Sequence, residues 1–473
     1  MLSEPFFKAF DEVVRELNLP AYLCGGTVRD LLLKRPFRDV DVVLPERVFS
    51  AAQSFRSKID APYFVLDKER QVARVVCGGG NWDFSGFRNS TIEGDLRKRD
   101  FTINALAVLW EDFYPGEKLD TLIDPYSGLQ DLKQKKIRTV AKESLEEDPL
   151  RMLRAFRIQA ELHFEIDSAV LEQIEQIHLM IRNVAVERIT EELDRIFLQP
   201  DSAKTWNAIG NSSLFGSLFP ELQPMQGCEQ GGYHHLDVWQ HTVEAMVYFE
   251  DLLLRIDEFF PDHAEFLKAY LESTAGTLER KRLLKWALLL HDIGKPATRE
   301  LKEPGRWRFH GHDHAGADMA EKLLKRFKFA RKDIQTITSI VEHHLRPLNL
   351  FNQEDRDYFR FFRAAGQEAI GIILIVYGDM SSARGSLADP SRMDEYRSLM
   401  DDLFRYYREV YYPTVNTPEL IKGRDLMVVF QLKPGPVLGQ ILKEVREAQL
   451  TGQLRTREQA LELASKLLKD KSP

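Results

Sequence analysis

The sequence predicts an α+β chain, in which a small mixed β-sheet at the N-terminal end is followed by mainly α-helical regions. Short segments before residue 90 are rich in β-branched and aromatic residues, whereas apolar residues beyond residue 141 recur at helical spacing. A chain of 473 residues also exceeds what one hydrophobic core supports. We therefore expect four regions, at residues 1–140, 141–230, 231–390 and 391–473.

The individual elements follow from hydrophobic periodicity. The apolar residues of segment 6–17 fall on one face, which predicts an amphipathic helix. Segments 150–162 and 170–177 predict further helices in the same way. Short strands, each bounded by turn-forming or polar residues, are predicted at residues 21–24, 39–44, 63–66, 72–77 and 82–84.

Composition limits the class of protein. With 44% hydrophobic and 29% charged residues, the chain is globular rather than disordered. Its three cysteines, Cys24, Cys77 and Cys228, form no CxxC pair, which argues against a disulfide framework and against thiolate zinc. The N-terminus lacks a signal-peptide pattern, and the apolar runs are too short to span a bilayer. Together with the scattered cysteines, these features predict a cytoplasmic protein without membrane contact. The net charge of −8 argues against a general nucleic-acid coat, so any RNA contact must be local.

A glycine turn stands between the first two predicted strands. Gly25 and Gly26 are followed by Arg29, and the second strand carries Asp39 and Asp41. Because successive side chains on a strand face opposite ways, the two carboxylates share one face. They repel each other unless a cation lies between them, so the pair is a natural site for Mg²⁺ ions, which can activate a hydroxyl and hold leaving phosphates. The alternative is a capped hairpin with a solvated aspartate pair.

Two further segments add charge to this site. Asp83 lies in predicted strand 82–84. If this strand is a neighbour of the strand that carries Asp39 and Asp41, Asp83 lies beside the aspartate pair. The alternative is a surface aspartate near a turn. Arg99 and Asp100 directly precede the apolar stretch 101–107, which we expect to be helical. Cations at a helix N-terminus oppose its partial positive charge, so they indicate a phosphate shared with the helix end.

Asp148 and Arg151 stand at the start of a predicted helix, with Pro149 in its first turn. Since they are three residues apart, they lie on one helix face. One interpretation is an N-cap with an i,i+3 ion pair. The other is a nucleobase reader, in which the carboxylate accepts from an exocyclic amine and the guanidinium donates to a ring nitrogen or carbonyl. Cytosine and adenine both offer this combination, and the spacing fits both interpretations.

Together these residues resemble the bacterial-type (class II) tRNA nucleotidyltransferase and poly(A) polymerase family, over about residues 1–220. The motifs occur in the family's order, as Gly25-Gly26-x-Val28-Arg29-Asp30, Asp39-x-Asp41, Arg99-Asp100-Phe101-Thr102-Ile103-Asn104-Ala105, Glu147-Asp148-x-x-Arg151 and Glu187-Arg188-Ile189. The resemblance implies a nucleotidyltransferase head followed by neck, body and tail, and the addition of C or A to the 3′ end of tRNA.

The resemblance also implies roles for single residues, because each position matches a family motif. The base-pairing residues of the family replace a nucleic-acid template. The implied assignments are Asp39 and Asp41, with Asp83 as a third candidate, for catalysis and Mg²⁺; Gly25, Gly26, Arg29, Arg99, Asp100, Asn104 and Arg154 for the nucleotide's phosphates and sugar; and Asp148 and Arg151 for its base.

One departure from the family bears on the product. Complete CCA-adding members carry a flexible loop between the strand ending near Arg88 and the residue matching Asp95, and CC-adding members lack it. Here only residues 89–94 lie between the two. We therefore expect a CC-adding enzyme that uses CTP. A complete CCA-adding enzyme that also uses ATP is the alternative, and an A-adding enzyme or a poly(A) polymerase are further alternatives.

The third region is rich in histidine. Ten of the twelve histidines fall within residues 234–344, among them His241 and His291, and Asp292 and Asp379 accompany them. A single core histidine is usually structural, but an adjacent His-Asp pair after a buried helix, with other His and Asp residues to converge on it, is typical of a metal site. Mixed imidazole and carboxylate ligands suit a transition metal, which can activate water for attack on a phosphoester.

This pattern resembles the HD phosphohydrolase superfamily over about residues 234–384, with the four residues just named at the H…HD…D positions. His312 and His343 match the additional histidines of members that hold a second metal. The resemblance implies divalent Ni, Mn, Fe or Co at this site. It also implies a phosphatase or 2′,3′-cyclic phosphodiesterase activity, in a domain inserted between body and tail.

Two other functions are alternatives to a tRNA nucleotidyltransferase with an HD domain. In one, the HD domain is a metal-dependent phosphohydrolase that does the main work, and the head is a vestigial nucleotide sensor. In the other, the chain is a non-catalytic RNA-binding protein. The expected partners are the tRNA 3′ end, CTP and, for a complete CCA end, ATP, with residues 391–473 binding tRNA; the sequence carries no indication of the oligomeric state.

Overall fold

The computed structural model of the chain describes residues 4–116, 119, 121–231, 235–303, 306–351, 355–385, 391–450 and 453–470. The predicted α+β class is confirmed, because a mixed sheet forms at the N-terminal end and helices dominate the rest. No helix in these ranges combines the length and the apolar character needed to cross a bilayer. The expected boundary at residue 390 falls outside the described residues.

The N-terminal sheet has six strands: β1 Tyr22–Cys24, β2 Val40–Leu44, β3 Tyr63–Asp67, β4 Val72–Cys77, β5 Gly80–Gly86 and β6 Ala107–Leu109. Their order is β3-β4-β5-β2-β1-β6. β2 and β5 run parallel, whereas the other neighbours are antiparallel. In the parallel pair Asp41 lies opposite Asp83, so the expected neighbouring position of these two carboxylates is confirmed. The five predicted strands are present as β1 to β5.

Six helices belong to the same region: α1 Glu4–Leu17, α2 Gly26–Leu32, α3 Val48–Ile59, α4 Ile92–Arg97, α5 Trp110–Phe113 and α6 Gly128–Gln134. The core forms because alternate residues of β5 are buried and aromatic, among them Trp82. The ring of Phe10 in α1 lies 5.3 Å from the ring of Trp82, and that of Phe55 in α3 lies 4.6 Å from it. The amphipathic face of the first helix therefore packs on the sheet.

The helix expected over residues 101–107 is wrong. Within this stretch only a 3-10 turn forms, at Thr102–Asn104, and the chain then enters β6. The reason is tertiary, because Ala107 pairs with Cys24 of β1. A short apolar run fits a buried strand as well as a helix, and the partner strand decides between them. The segment therefore places no α-helix N-terminus next to Arg99, and the expected shared phosphate site at a helix end does not form there.

The rest of the chain is mainly helical, with two minor two-stranded sheets. Parallel strands β7 Lys136–Ile137 and β8 Glu165–Ile166 form one, and the antiparallel hairpin of β9 Glu300–Glu303 and β10 Arg306–Arg308 forms the other. The helices that follow the head are α7 Ser144–Glu147, α8 Leu150–Leu162, α9 Ser168–Ile177, α10 Val186–Phe197, α11 Ser202–Gly210 and α12 Ser213–Leu218.

The histidine-rich region and the C-terminal region complete the element list. The former contains α13 Val238–Leu254, α14 Ile256–Phe259, α15 Ala264–Glu272, α16 Arg280–Leu290, α17 His312–Arg326, α18 Arg331–His343, α19 Asp355–Ala365 and α20 Ala369–Ser382. The latter contains α21 Ser391–Tyr406, the π-helix Tyr407–Tyr411, α22 Tyr412–Val415, α23 Gly423–Phe430, α24 Pro436–Leu450 and α25 Arg457–Asp470. Further 3-10 turns are His178–Asn183, Gln223–Met225, Pro296–Thr298, Arg346–Leu350 and Gly366–Glu368.

Close packing of α13 against α20 positions the histidine-rich site. Residues Ile370 to Val376 of α20 are all buried, which explains their unbroken apolar run. A Cβ atom on Gly378 would lie 2.5 Å from the carbonyl oxygen of Ala245 in α13, so a glycine is needed where the two backbones approach. This contact brings Asp379, the next residue of α20, beside His241 of α13.

The histidine-rich region also contacts the helices that follow the head. The Thr190 hydroxyl of α10 donates to the carbonyl of Phe327 at 2.9 Å, and the Phe327 ring lies 5.2 Å from that of Phe219. Arg282 of α16 forms an ion pair with Asp194 of α10. Helix α10 is therefore fixed to the histidine-rich region by a hydrogen bond and an ion pair.

Candidate active sites

The first candidate site forms around the glycine turn between β1 and α2. Gly25 has φ +66°, a conformation that favours glycine. A Cβ atom there would lie 2.5 Å from Nη1 of Arg99 and 2.9 Å from Oδ2 of Asp41. The absence of a side chain therefore lets a guanidinium, a carboxylate and the turn meet at one point. We call this group, with Asp39 and Asp83, the head site.

The three carboxylates of the head site lie on neighbouring backbone positions. Asp39 directly precedes β2, two residues before Asp41, and Asp83 faces Asp41 from β5. Burial raises the pKa of Asp41, and the charges of Asp83 and Asp39 add to this shift while Arg99 opposes it. Carboxylates that crowd one another in this way fit a bound divalent cation, because the cation removes their mutual repulsion.

Two of these carboxylates also have protein partners. Arg74 donates to Asp83 through Nε at 2.7 Å and through Nη2 at 2.8 Å. Asp39 accepts from the backbone N–H of Asn81 at 3.0 Å and from its side-chain amide at 2.9 Å. Arg74 was not among the predicted residues, because it lies on β4 and contacts Asp83 only through the pairing of β4 with β5.

A chain of polar contacts runs from the glycine turn to α8. Arg29 is buried and donates to Asp30 at 2.8 Å and to the side-chain oxygen of Asn104 at 2.9 Å. Asn104 donates in turn to Asp100 at 3.1 Å, and Arg154 of α8 pairs with Asp100 at 2.9 Å. Burial opposes the charge of Asp100, but Arg154 and the hydrogen bond from Asn104 lower its pKa to about 2. The structure thus brings these predicted residues together as one fixed network.

Arg99 stands at the centre of the head site. Its Nη2 atom donates to the sulfur of Cys24 at 2.8 Å and to Asp95 at 3.3 Å. Asp95 is itself buried and accepts from the backbone N–H of Arg88 at 3.1 Å. The short connection between Arg88 and Asp95 therefore serves to fix the arginine that touches the glycine turn.

Asp148 and Arg151 do not form the ion pair that one interpretation expected. Asp148 has the extended backbone angle φ −144° and precedes α8, and its carboxylate accepts from Arg188 of α10 at 2.8 Å. Arg151 instead donates to three backbone carbonyls, those of Lys98 at 2.7 Å, Ser144 at 3.0 Å and Arg99 at 3.3 Å. Each partner is thus held separately. Arg188, which the sequence placed in a motif but not in the site, orients Asp148 together with the backbone N–H of Leu150, which donates to Oδ1 at 3.3 Å.

The second candidate site lies among the helices of the histidine-rich region. Nε2 of His241 lies 2.9 Å from Oδ1 of Asp379 and 3.6 Å from Oδ2 of Asp292. Nε2 of His291 lies 3.1 Å from Oδ2 of Asp292 and 3.7 Å from Oδ1 of Asp379. The four predicted residues therefore present their ligand atoms to a common point, as a metal site requires.

A second group shares Asp292 with the first. It consists of Asp292, His312 and His344. His343, which we expected here, does not belong to the group, and its neighbour His344 takes the place. The reason is helical geometry, because adjacent residues at the end of α18 point about 100° apart. We call the two groups together the HD site.

Backbone carbonyls fix the imidazole rings of the HD site. Nδ1 of His291 donates to the carbonyl of Leu288 at 2.7 Å, and Nδ1 of His312 donates to that of Phe309 at 2.7 Å. His344 makes the same kind of contact to Val341 at 2.6 Å. In each case the other ring nitrogen, Nε2, faces the site, and such outer contacts set the tautomer that binds a metal.

The donor atoms of the HD site fit a bound metal. Oδ1 of Asp292 and Nε2 of His312 and His344 are buried without a hydrogen-bond partner within the described residues, whereas Oδ2 of Asp292 is contacted by Lys295 and His291. Orphaned buried polar atoms of this kind are costly unless a ligand completes them. Burial lowers the pKa of His344 to about 4, so its imidazole is neutral and able to coordinate.

Lys295 closes one side of the HD site. Its ammonium lies 2.6 Å from Oδ2 of Asp292 and donates to the side chain of Gln230 at 2.6 Å. Although burial opposes charge on Asp292, His291 and Lys295 hold its pKa well below the usual range. Lys295 was not among the predicted residues, yet its place in the run His291-Asp292-Ile293-Gly294-Lys295 brings it back to the aspartate.

Models of known families match most of this chain. The model described as "Poly A polymerase head domain" matches residues 21–138, and "Probable RNA and SrmB- binding site of polymerase A" matches residues 163–226. The "HD domain" model matches residues 238–368, and "tRNA nucleotidyltransferase domain 2 putative" matches residues 404–464. The head site and the HD site therefore lie in two different matched domains.

Whole-length relatives decide the family. An A-adding tRNA nucleotidyltransferase of Deinococcus radiodurans is 31% identical over 447 residues, which cover 93% of this chain and 94% of that protein. The chain belongs to the tRNA nucleotidyltransferase family. A CC-adding tRNA nucleotidyltransferase of Thermus thermophilus is also 31% identical, over 449 residues that cover 93% of this chain and 92% of that protein.

Solved structures share the fold of this family member. A CCA-adding enzyme in complex with ATP superposes with a TM-score of 0.62 at 20% identity, covering 98% of this chain and 94% of that one. The Thermotoga maritima CCA-adding enzyme complexed with tRNA gives a TM-score of 0.57 at 20% identity, covering 98% and 95%. The likeness therefore extends over head, HD and C-terminal regions.

Proposed function

We propose that this chain adds C to the 3′ end of tRNA, using CTP and releasing pyrophosphate. The observation that carries the proposal is the contact at the glycine turn, where Gly25 lets Arg99 and Asp41 meet beside Asp83. In this reaction the terminal ribose hydroxyl attacks the α-phosphate. Asp39 and Asp41 would hold Mg²⁺, with Asp83 as a third ligand candidate. Bound Mg²⁺ lowers the pKa of the attacking hydroxyl and offsets charge on the leaving phosphates.

The remaining head residues bind and orient the nucleotide. Arg29 and Arg99 supply positive charge to the triphosphate at the backbone turn of Gly25 and Gly26. Asp100, already ionised through its partners, accepts from the ribose. Asn104 and Arg154 keep its carboxylate in place.

Asp148 and Arg151 select the base in this proposal. The Asp148 carboxylate accepts from the exocyclic amine of cytosine, and Arg188 orients it from α10. For Arg151 to donate to the base, it exchanges one of its backbone acceptors for the ring nitrogen or carbonyl. Uracil lacks the amine, so its incorporation gains nothing from Asp148.

We favour CC addition over complete CCA addition because the connection between β5 and α4 is short. Only residues 87–91 separate Gly86 from the start of α4 at Ile92, which leaves no long loop to switch the pocket from C to A. Relatives with A-adding and CC-adding names are equally similar to this chain, so a complete CCA-adding enzyme, an A-adding enzyme and a poly(A) polymerase are the alternatives.

The test is nucleotide incorporation with Mg²⁺ on tRNA transcripts that end at the discriminator base, after one C and after two Cs. CTP and ATP are offered separately and together, and products are sized at single-nucleotide resolution. We expect addition to stop after two Cs even with ATP present. Completion with A would show a full CCA-adding enzyme, and no addition to any transcript would refute the transferase proposal.

We also propose that the HD site is a metal-dependent phosphohydrolase. The supporting observation is the convergence of histidine and aspartate ligand atoms around the buried Asp292. His241, His291 and Asp379 would hold one divalent transition metal with Asp292, and His312 and His344 would hold a second one. Such a metal supplies hydroxide for attack on phosphorus at neutral pH. The expected metals are Ni, Mn, Fe and Co.

The two activities can be separated experimentally. Changing His291 and Asp292 to alanine should abolish hydrolysis of a 2′,3′-cyclic phosphate and leave nucleotide addition intact. Loss of both activities would contradict the assignment. Because tRNA 3′ ends and CTP are cytoplasmic substrates, we propose that the protein acts in the cytoplasm.

A further inference from the structure

The HD site opens into a cavity whose rim is aromatic. The cavity has a volume of about 520 Å³ and is lined by residues of strand β10, of the segment that follows it and, from the metal groups, by His312. Lys295 and His312 lie on the side of the metal ligands, whereas Trp307 and Phe309 come from the hairpin and its C-terminal continuation. The cavity lining therefore combines cationic and metal-binding residues with aromatic ones.

Trp307 is held in a fixed orientation. The guanidinium carbon of Arg299 lies 3.6 Å from the centroid of its ring, which is a close cation–π contact. Arg299 pairs in turn with Glu229 at 3.4 Å, and backbone pairing sets Trp307 opposite Leu301 of β9. Trp307 lines the cavity whereas Arg299 does not. The Arg299 guanidinium therefore lies against the Trp307 ring from outside the cavity, and the ring is available to a ligand in the cavity.

The cavity residues on the side of the metal ligands suit a phosphoester. Lys295 is buried, lies 2.6 Å from the carboxylate of Asp292 and stands 5.8 Å over the ring of Phe309. A metal bound by Asp292 and His312 and the ammonium of Lys295 would both attract phosphate oxygens. A ligand that contacts both kinds of lining residue therefore carries a phosphate and a flat ring.

We propose that Trp307 is a specificity-determining residue of the HD site, because its ring stacks on the base of a nucleoside phosphoester bound to the metal groups. This inference rests on the phosphohydrolase function proposed above and adds the residue that selects the substrate. Stacking of a base on an aromatic side chain is tolerant of sequence, so all four bases are accepted. A phosphoester without a base uses only the metals and Lys295.

The test compares two cyclic phosphates that share the reacting group. Cytidine 2′,3′-cyclic phosphate carries a base, and glycerol 1,2-cyclic phosphate does not. Trp307→Leu removes the aromatic plane but keeps an apolar side chain on the hairpin, and Trp307→Phe keeps a ring as the matched control. We expect Trp307→Leu to lower kcat/KM for the cytidine substrate by about tenfold, with less than about a twofold change for the glycerol substrate. Trp307→Phe should retain most of the activity.

Binding provides a second readout that needs no turnover. The dissociation constants of cytidine 2′-phosphate and of inorganic phosphate are measured by calorimetry with Mn²⁺ present. Every chain used in this binding experiment also carries Asp148→Ala, so that the head site contributes no contact to the base. Trp307→Leu should weaken cytidine 2′-phosphate binding by about tenfold and leave phosphate binding unchanged.

The outcomes separate this inference from the underlying function. Equal losses on both cyclic phosphates, or no loss on the cytidine one, would overturn the role of Trp307 while hydrolysis by the unmodified chain still stands. If the unmodified chain hydrolyses neither substrate, the phosphohydrolase proposal fails. In that case the binding data still decide the role of Trp307. Weaker binding of cytidine 2′-phosphate by the Trp307→Leu chain would support the stacking site. Equal binding by the chains with and without Trp307→Leu would overturn it.

Discussion

Removal of Arg188 should reduce the preference for cytosine without unfolding the protein. The Arg188 side chain is 52% exposed and that of Asp148 is 30% exposed, so water screens this ion pair strongly. A pair of this kind contributes at most about 1 kcal/mol to the free energy of unfolding. The Arg188→Ala chain should therefore fold normally, and its unfolding midpoint should move by a few degrees at most.

The effect on nucleotide addition should be larger than the effect on folding. Hydrogen bonds to charged groups are worth about 1.5–3 kcal/mol, and here exposure favours the lower end of that range. If Arg188 aims the Asp148 carboxylate at the base amine, its loss lowers kcat/KM for CTP by about tenfold. UTP has no exocyclic amine, so its slow misincorporation should stay unchanged. Discrimination between C and U therefore falls by the same factor.

The assay is single-nucleotide incorporation on a tRNA transcript that ends at the discriminator base, with CTP and UTP measured separately. Arg195→Ala is the matched control, because Arg195 lies on the same helix and pairs with Glu191 at 2.9 Å rather than with Asp148. A double-mutant cycle with Asp148→Ala isolates the coupling. The reasoning is refuted if Arg188→Ala lowers CTP addition as strongly in the Asp148→Ala chain as in the unmodified one.

Three further changes probe the turn, the metal groups and the core. Gly25→Ala should lower CTP incorporation about a hundredfold, since its new Cβ displaces catalytic groups by about an ångström; activity close to that of the unmodified chain would contradict the turn's role. His344→Ala should lower the Mn²⁺ content of the purified chain, measured by mass spectrometry, whereas His343→Ala should not; the reverse result would restore the sequence prediction. Lys285→Met should lower the free energy of unfolding in urea by about 3–5 kcal/mol, because it leaves the Glu250 carboxylate, 2.6 Å away, buried without its cation. A loss below about 1 kcal/mol would show that the Ser202 hydroxyl and the backbone N–H groups of Ser202 and Ala203, which donate to Glu250, are sufficient partners.

The local sequence pattern was enough to predict a feature where residues close together in the chain form it. The strand that carries Asp41 could be predicted because its alternation repeats every two residues, and the turn at Gly25 because two glycines follow a short apolar strand. The HD site could be predicted in outline because His291 and Asp292 are adjacent and follow a buried helix. Family motifs supplied the rest of that outline, since they list residues that are far apart in the chain.

Contacts between segments that are distant along the chain could not be predicted from the sequence. The stretch 101–107 looked helical because it is apolar, but pairing with β1 turned its end into a strand. One interpretation of the spacing paired Asp148 with Arg151, but Asp148 pairs with Arg188, which is forty residues away, because α10 packs against α8. His343 and His344 are indistinguishable as sequence letters, and only the rotation of α18 relative to the other ligands decides which one faces the metal group.

The sequence by itself determined that this is an α+β member of the nucleotidyltransferase family with a second, histidine-based site, because periodicity and short motifs are local properties. The tertiary structure decided which side chains hold the site residues in place, namely Arg74 on Asp83 and Arg188 on Asp148. The physical reason is that a charged group is positioned by the nearest opposite charge in space, and distance along the chain carries almost no information about it.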